Sequence, residues 1–523
     1  MTERAVSDLD SVDLEPSGST SAEPTHLADS PRAAAEDAAV RAHQPDHGAR
    51  NTRVIWLLLA ATFVVFLNET IMGVAVPHLV DDLHISVTAA QWLTTAFMLT
   101  MAVVIPITGF LLQRFPTKPI FITAMSLFSA GTLLAALAPG FEVLLAARVV
   151  QASGTAIMMP LLMTTLMTVV APSDRGRFMG RVSIVMSVAP AVGPTISGII
   201  LNTLSWRFMF WLVLPIAVVM LVIGARKVET VNEPRKLPID LWSVVLSAFG
   251  FGGLVYGLSL IGGEGGGDAS ATPAWALPAA FVVGGLALGA FIWRQLLLQR
   301  RDRALLDLRT FRSKNFSISV GMMVVLMASL FGTIIVLPFY LQRVLLLEPL
   351  QTGLMLLPGG LLMGLLGPTV GRLFDRFGPT PLLVPASVVL SAVLWSLTMV
   401  GEDTSLWLVL GLHLVMSVAL AFMFTPLFTS ALGSVEPRFY SYGSAIIGTI
   451  QQVAGAVGTA LFITVMAARE TAAAAAGAGD LAAQAAGIRG AFTVGAIISI
   501  AAIVGALFVR KPADMAEGAP VGH

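Results

Sequence analysis

The chain has 523 residues and a formal net charge of zero, with 56% apolar and only 12% charged residues. Soluble domains carry about 25% charged residues, so this composition, with a mean hydropathy of +0.83, excludes a soluble enzyme. Zero net charge leaves no basic surface for nucleic acid, and the lack of any cysteine excludes a disulfide-stapled secreted domain and thiolate chemistry.

Residues 1–53 open the chain with ten acids and four arginines within the first fifty positions and almost no aromatic residues. Such a segment cannot bury enough apolar surface to offset its ordering entropy. It reads as a solvated, disordered cytoplasmic tail and not as a signal peptide. Apolar runs of about twenty residues, each long enough to span a bilayer, then follow at 54–79, 88–112, 119–138, 142–168, 178–201 and 208–226, and at 239–261 and 274–294. Six more follow at 316–341, 352–375, 379–400, 404–432, 443–467 and 488–509. The expectation is an all-α polytopic membrane protein of 14 transmembrane helices. A first six-helix bundle spans 54–226, a linker with two additional helices 227–315, and a second six-helix bundle 316–509, before a cytoplasmic tail at 510–523. Many runs contain proline, among them Pro106, Pro160, Pro190, Pro194, Pro338, Pro358, Pro368 and Pro426. Membrane helices tolerate it where neighbours or cavities satisfy the freed backbone groups, so these helices read as kinked elements that move.

Of the 31 basic residues, 26 fall in the tails and even-numbered connections; Arg148, Arg207, Arg343, Arg469 and Arg489 are the exceptions. The positive-inside rule places both termini in the cytoplasm, and an even span count requires the same. A shift of 262 positions superposes the first five spans of each half: Pro106 on Pro368, Gly109 on Gly371, Arg114 on Arg376, Pro119 on Pro381 and Gly193 on Gly455; the sixth slips by the length of the Ala-rich segment 469–487. Parallel six-span repeats are a signature of transporters that rock two halves about a midplane site.

Four segments carry a specific resemblance. They are Leu67-Asn68-Glu69-Thr70-Ile71-Met72-Gly73-Val74-Ala75-Val76-Pro77 in the first span, Gly109-Phe110-Leu111-Leu112-Gln113-Arg114 after the second, Arg148-Val149-Val150-Gln151-Ala152-Ser153-Gly154-Thr155-Ala156 in the fourth and Pro190-Ala191-Val192-Gly193-Pro194-Thr195-Ile196-Ser197-Gly198 in the fifth. They are similar to the first-helix, gating-loop, proton-transfer and antiporter motifs of the major facilitator superfamily, in its fourteen-span drug:proton antiporter branch with the bacterial multidrug and lincomycin exporters. Two departures stand out. Gln113 occupies the gating loop's usual Asp position, although Asp375 supplies that acid in the second-half copy. The first-span acid stands at Glu69, one place after the usual position, here Asn68. The resemblance implies a major facilitator fold and proton-coupled efflux, by alternating access across the plasma membrane, of drugs or other amphiphilic small molecules. It implies no enzyme activity and no cofactor beyond the proton gradient. The partners would be small-molecule substrates, protons and the bilayer, with no nucleic acid, and the chain would act as a monomer. Export of one endogenous lipid or metabolite is the alternative.

Glu69 is the only acid well inside a span. A carboxylate in hydrocarbon is costly and marks function by default. At 1.5 Å per residue, Glu69 and Arg148 lie at similar depth, roughly 12 and 9 Å from one membrane face. They are the proton-coupling candidates, against the competing reading of a static buried ion pair. Candidates for a substrate cavity are Asn68, Trp92, Gln151, Tyr340, Gln342, His413, Gln451 and Gln452, with His413 at the repeat-equivalent place of Gln151 and read also as a hydrogen-bonded core histidine. Hinge and gating candidates are Pro190, Gly193, Pro194, Gly198, Gly109, Arg114, Gly371, Asp375 and Arg376; plain packing and topogenic charge are the competing readings. A phosphate-binding loop for an ATP-driven pump and a clustered metal-ligand set are both missing from the sequence, so no metal site is expected. Reporter fusions test the topology: fusions after Arg226, Lys314 and Lys511 are expected to read cytoplasmic, and fusions within 262–273 and 470–487 external. A cytoplasmic signal at 262–273 would remove the inserted pair from the membrane and break the charge argument.

Overall fold

The computed structural model describes residues 47–232, 234, 238–261 and 273–512. Among them are fourteen helices long and apolar enough to cross a membrane, and no strand. In chain order they are α1 His47–Leu83, α2 Val87–Arg114, α3 Thr117–Ala136, α4 Phe141–Val169, α5 Arg175–Thr203, α6 Arg207–Lys227, α7 Leu241–Ile261, α8 Ala276–Leu298, α9 Lys314–Phe339, α10 Pro349–Phe377, α11 Thr380–Leu397, α12 Leu406–Gly433, α13 Tyr440–Ala475 and α14 Asp480–Ala506. The expected tail lies outside the described residues up to position 46, as do 262–272 and 513–523.

The helices follow the apolar runs, with two instructive differences. The Ala-rich stretch expected to separate the last two spans is mostly helical, because alanine has the highest helix propensity. Helix α13 runs to Ala475 and ends beside Gly477, whose φ of +87° gives the left-handed turn that commonly terminates helices. At the end of α9, past Pro338, Tyr340–Val344 form a π-helical turn; such turns are rare and occur mostly as single-turn bulges.

Within the first half, α4 packs between α2 and α3, and α6 covers α3; within the second, α13 packs against α9 and α14, and α12 against α10 and α11. The halves meet along two repeat-related seams, α5 against α10 and α2 against α13. The first is the most extensive of the helix pairs described, and the reason is backbone contact. A Cβ on Gly180 would stand 2.2 Å from the carbonyl oxygen of Gly367, and one on Gly367 2.3 Å from that of Gly180. Gly176 and Gly371, one turn away, repeat the arrangement at 2.6 and 2.1 Å. Two glycine pairs spaced four apart thus cross face to face, the geometry by which small residues let membrane helices approach. Nearby, the Ser183 and Thr425 hydroxyls share a hydrogen bond of 2.7 Å.

The inserted hairpin α7–α8 sits against the other seam: α7 touches both α2 and α13, with the Tyr256 ring 5.7 Å from that of Trp92 and tilted by 31°. Helix α8 leaves most of its apolar stretch uncovered, with 11% of it buried. The hairpin is fastened by Arg294, whose guanidinium donates to both Asp240 carboxylate oxygens at 2.6 and 2.7 Å, holding that carboxyl below its ordinary range. Asn232, in the linker before α7, accepts from Thr117 N and Oγ1 and donates to the Leu112 and Phe115 carbonyls, which ties the linker to the α2–α3 turn.

Overpacking a close contact costs about 1–3 kcal/mol. Gly180→Val is therefore expected to shift the equilibrium at the α5–α10 seam about tenfold or more toward separated halves. The absence of native cysteine permits spin labels at Arg177→Cys and Arg372→Cys, and the label distance distribution should move to longer values. An unchanged distribution would mean that the glycine crossing does not hold this end shut.

Candidate functional site

The polar centre of the first half is assembled from four helices. Arg148 and Gln151 stand three residues apart on one face of α4. Arg148, 1% exposed, donates from Nη1 to Gln151 Oε1 at 2.6 Å and to Asn68 Oδ1 of α1 at 3.5 Å. Gln151 in turn donates from Nε2 to Thr132 Oγ1 of α3 at 2.8 Å. The guanidinium lies 4.1 Å from the centre of the Phe97 ring of α2, a cation–π contact that gains strength where water is excluded. Arg148 is thus held by neutral groups.

Glu69, on the next residue of α1, is the electrostatic neighbour of Arg148, yet no ion pair closes between them among the described residues. Its Oε2 is buried with no hydrogen-bond partner, and so is Arg148 Nε. The static ion pair is therefore not what this conformation contains. A buried carboxylate oxygen without a donor is costly, and two chemical outcomes relieve it: a proton, or a cation from outside the protein.

The segment Pro190–Gly198 of α5 touches this same turn. Thr70 has one hydroxyl proton and three carbonyls in reach: Leu67 and Phe66 of its own helix at 3.0 and 3.2 Å, and Ala189 of α5 at 3.4 Å. A Cβ on Gly193 would stand 2.2 Å from Thr70 Oγ1, whereas one on Gly198 would meet nothing within 4 Å. The close-approach argument thus holds for Gly193 and fails for Gly198. Pro190 and Pro194 flank the contact inside α5.

The remaining cavity candidates do not gather at this centre. His413 on α12 faces α10, where its Nε2 lies 3.1 Å from the Leu356 carbonyl. A carbonyl only accepts, so Nε2 carries the proton, and the buried Nδ1 is left without a partner. Gln452 points to the Met101 sulfur of α2 and Gln451 to the Met327 sulfur of α9. Trp92 faces the inserted hairpin. Tyr340 is fully buried and donates to the Gly401 carbonyl at 2.8 Å, while Gln342 is exposed in the π-helical turn.

The gating candidates sit at the end of the bundle where the seams close. Asp375 of α10 accepts from the backbone N–H groups of Gly176 and Arg177 at 2.8 Å each. It caps the first turn of α5 across the seam, where a helix N-terminus favours negative charge. Gln113 stands at the repeat-equivalent place on α2 and does the reverse, donating from Nε2 to the Arg438 carbonyl at 2.8 Å. The departure at Gln113 thus leaves a charged lock on one seam and a neutral one on the other. A Cβ on Gly109 would lie 2.9 Å from the Ala445 methyl, and Arg114 and Arg376 rest on the rings of Phe115 and Phe377. Sequence reasoning did not single out Arg175 beyond its charge. It is buried and joins the first half to α13 by donating to the Tyr440 hydroxyl at 3.0 Å and to the Met167 carbonyl at 3.1 Å. Phe97 and Thr132 also carried no signal, since an aromatic or a threonine in an apolar run is ordinary.

Residues 58–459 match the family model described as Major Facilitator Superfamily. The lincomycin resistance protein LmrB of Listeria monocytogenes is 40% identical over 463 residues, covering 88% of this chain and 96% of that protein. The protein of the same name in Bacillus subtilis is 37% identical over 460 residues, covering 87% and 95%. The crystal structure of the human organic anion transporter MFSD10 (TETRAN) superposes with a TM-score of 0.61 at 15% identity, over 88% of this chain and 100% of that one. The chain therefore belongs to the Major Facilitator Superfamily and is a multi-pass membrane transporter of that fold, not an enzyme.

Proposed function

We propose that this transporter exports drugs or other amphiphilic small molecules in exchange for protons, across the plasma membrane and with both termini in the cytoplasm. It works as a monomer, with the proton gradient as its energy source and no cofactor. One observation carries the reading: Glu69 has a buried carboxylate oxygen with no hydrogen-bond partner among the described residues, while the cation beside it, Arg148, is held by Gln151, Asn68 and Phe97. The repeat-equivalent places of Glu69 and Arg148 are Phe331 and Leu410, so the charge is confined to one half. The relatives named for lincomycin resistance support export of drugs.

Rocking the halves changes the hydration of Glu69, and a shift of α1 against α4 within the first half changes its distance from Arg148. Both alter how tightly the carboxylate holds a proton, and one pKa unit corresponds to about 1.4 kcal/mol. In the proposed cycle Glu69 takes a proton while open to the outside, and substrate leaves. Open to the inside it loses the proton, and the bare carboxylate draws in substrate, cations especially. Gly193, seated on Thr70, passes the state of this turn to α5 and so to the seam with α10.

Glu69→Gln keeps the shape and removes the charge. It is expected to reach the membrane but to lose uphill export in proteoliposomes carrying an imposed pH gradient, with cationic drugs and a lincosamide as substrates. Substrate binding is expected to release protons from the wild type and none from the variant; pH-driven export by the variant would move coupling elsewhere. A second comparison separates hinge from filler. Gly193→Val, which drives a branch into Thr70, is expected to lower transport by about tenfold, in line with 1–3 kcal/mol of overpacking. Gly198→Val should leave transport near wild type, and equal effects of the two would contradict a specific α1–α5 contact.

A further inference from the structure

The fifteen residues between α8 and α9 hold two aspartates, and both are already engaged. Arg309 donates to Asp307 at 3.0 Å and also pairs with Asp302, and these bonds keep its guanidinium protonated beyond its already basic range. The remaining cations of the segment, Arg300, Arg301, Arg303, Arg312 and the adjoining Lys314, are all exposed. Among the described residues none of the five has a carboxylate within ion-pair distance. The segment is tied down: Gln295 Oε1 accepts from the Leu305 and Leu306 amides at 2.7 and 3.3 Å, and Tyr442 of α13 donates to the Ala304 carbonyl. The cations are therefore held at the boundary where two membrane helices end.

The surface leading to them is apolar. Trp293, Leu296 and Leu297 in the last turns of α8 are 66%, 44% and 45% exposed. With Arg300 and Arg301 they follow spacings of three and four, which line one helix face. At 1.5 Å per residue the arginines stand about 10 Å beyond Trp293. The stripe thus presents hydrocarbon contact first and two guanidiniums next, the order in which an acyl chain and its phosphate occur in a lipid. Guanidinium is suited to phosphate by its planar fork of donors, and clusters of four to eight basic residues beside a membrane helix attract anionic lipid.

We infer that the α8–α9 segment is a binding site for the headgroup of an anionic phospholipid, with Arg300, Arg301 and Arg303 on the phosphate and Trp293 and Leu297 beneath the acyl chain. The test is native mass spectrometry of the full chain released from mixed micelles of phosphatidylglycerol and phosphatidylcholine. The wild type is expected to retain phosphatidylglycerol in preference. R300Q/R301Q/R303Q is expected to weaken that retention by up to about a hundredfold, from about fivefold per basic residue near an anionic surface. R300K/R301K/R303K should keep most of it. R226Q/K227Q removes two cations from the end of α6 and should leave retention unchanged. Excess inorganic phosphate should fail to displace the lipid, because it lacks the acyl contact. No preference in the wild type, an equal loss in the α6 variant, or displacement by phosphate would each overturn the site, the second by reducing it to diffuse charge attraction.

Discussion

An ionisable group in hydrocarbon is stable only if something answers its charge, and the first half of this transporter holds one carboxylate that closes no ion pair among the described residues. Arg148 is the obvious partner by sequence. Its guanidinium is instead spread over an amide on its own helix, an amide on α1 and an aromatic face on α2. These contacts keep a buried cation tolerable without spending it on Glu69. Breaking a buried pair by removing one partner typically costs 3–5 kcal/mol. A carboxylate that never relied on an ion pair can exchange a proton without incurring that cost, which is the property a coupling group needs.

Movement depends on the opposite kind of contact, close and uncharged. The α5–α10 seam brings backbone against backbone at two glycine pairs. The charge of Asp375 on the first turn of α5 adds a directional bond at the same end. On the repeat-related seam Gln113 makes a neutral bond in the reverse sense. The two seams are thus joined by bonds of different charge although their backbones are related. Helix α5 carries both the glycine crossing and Gly193, so the turn that bears Glu69 and the seam that opens share one element.

Much of this was legible in the residues. Hydropathy defines the fourteen spans, and the shift of 262 separates the two halves from the insert. A charge inside an apolar run is conspicuous, so Glu69 and Arg148 stood out. Partners did not, because facing is set by packing between helices that are all apolar. Thr132 and Phe97 look like any other residue of a span, and the spacing of Gly176 and Gly180 gives no hint that Gly367 and Gly371 oppose them. The Ala-rich stretch misled because weak hydropathy resembles a loop, while helix propensity governs at the ends of spans. Gln113 read as a departure from the gating loop's usual Asp; in place, it is a donor where its counterpart is an acceptor.

The central claim is that substrate and proton move in opposite directions through the chemistry of Glu69. Its most direct test starts from the substrate side: proteoliposomes loaded with a cationic drug, without a pH gradient, diluted into drug-free buffer, with a pH-sensitive dye on the side the drug leaves. Downhill drug movement is predicted to drive protons the opposite way in the wild type, and the proton signal to vanish with Glu69→Gln. Drug movement without proton flux, or with protons moving in the same direction, would contradict the account.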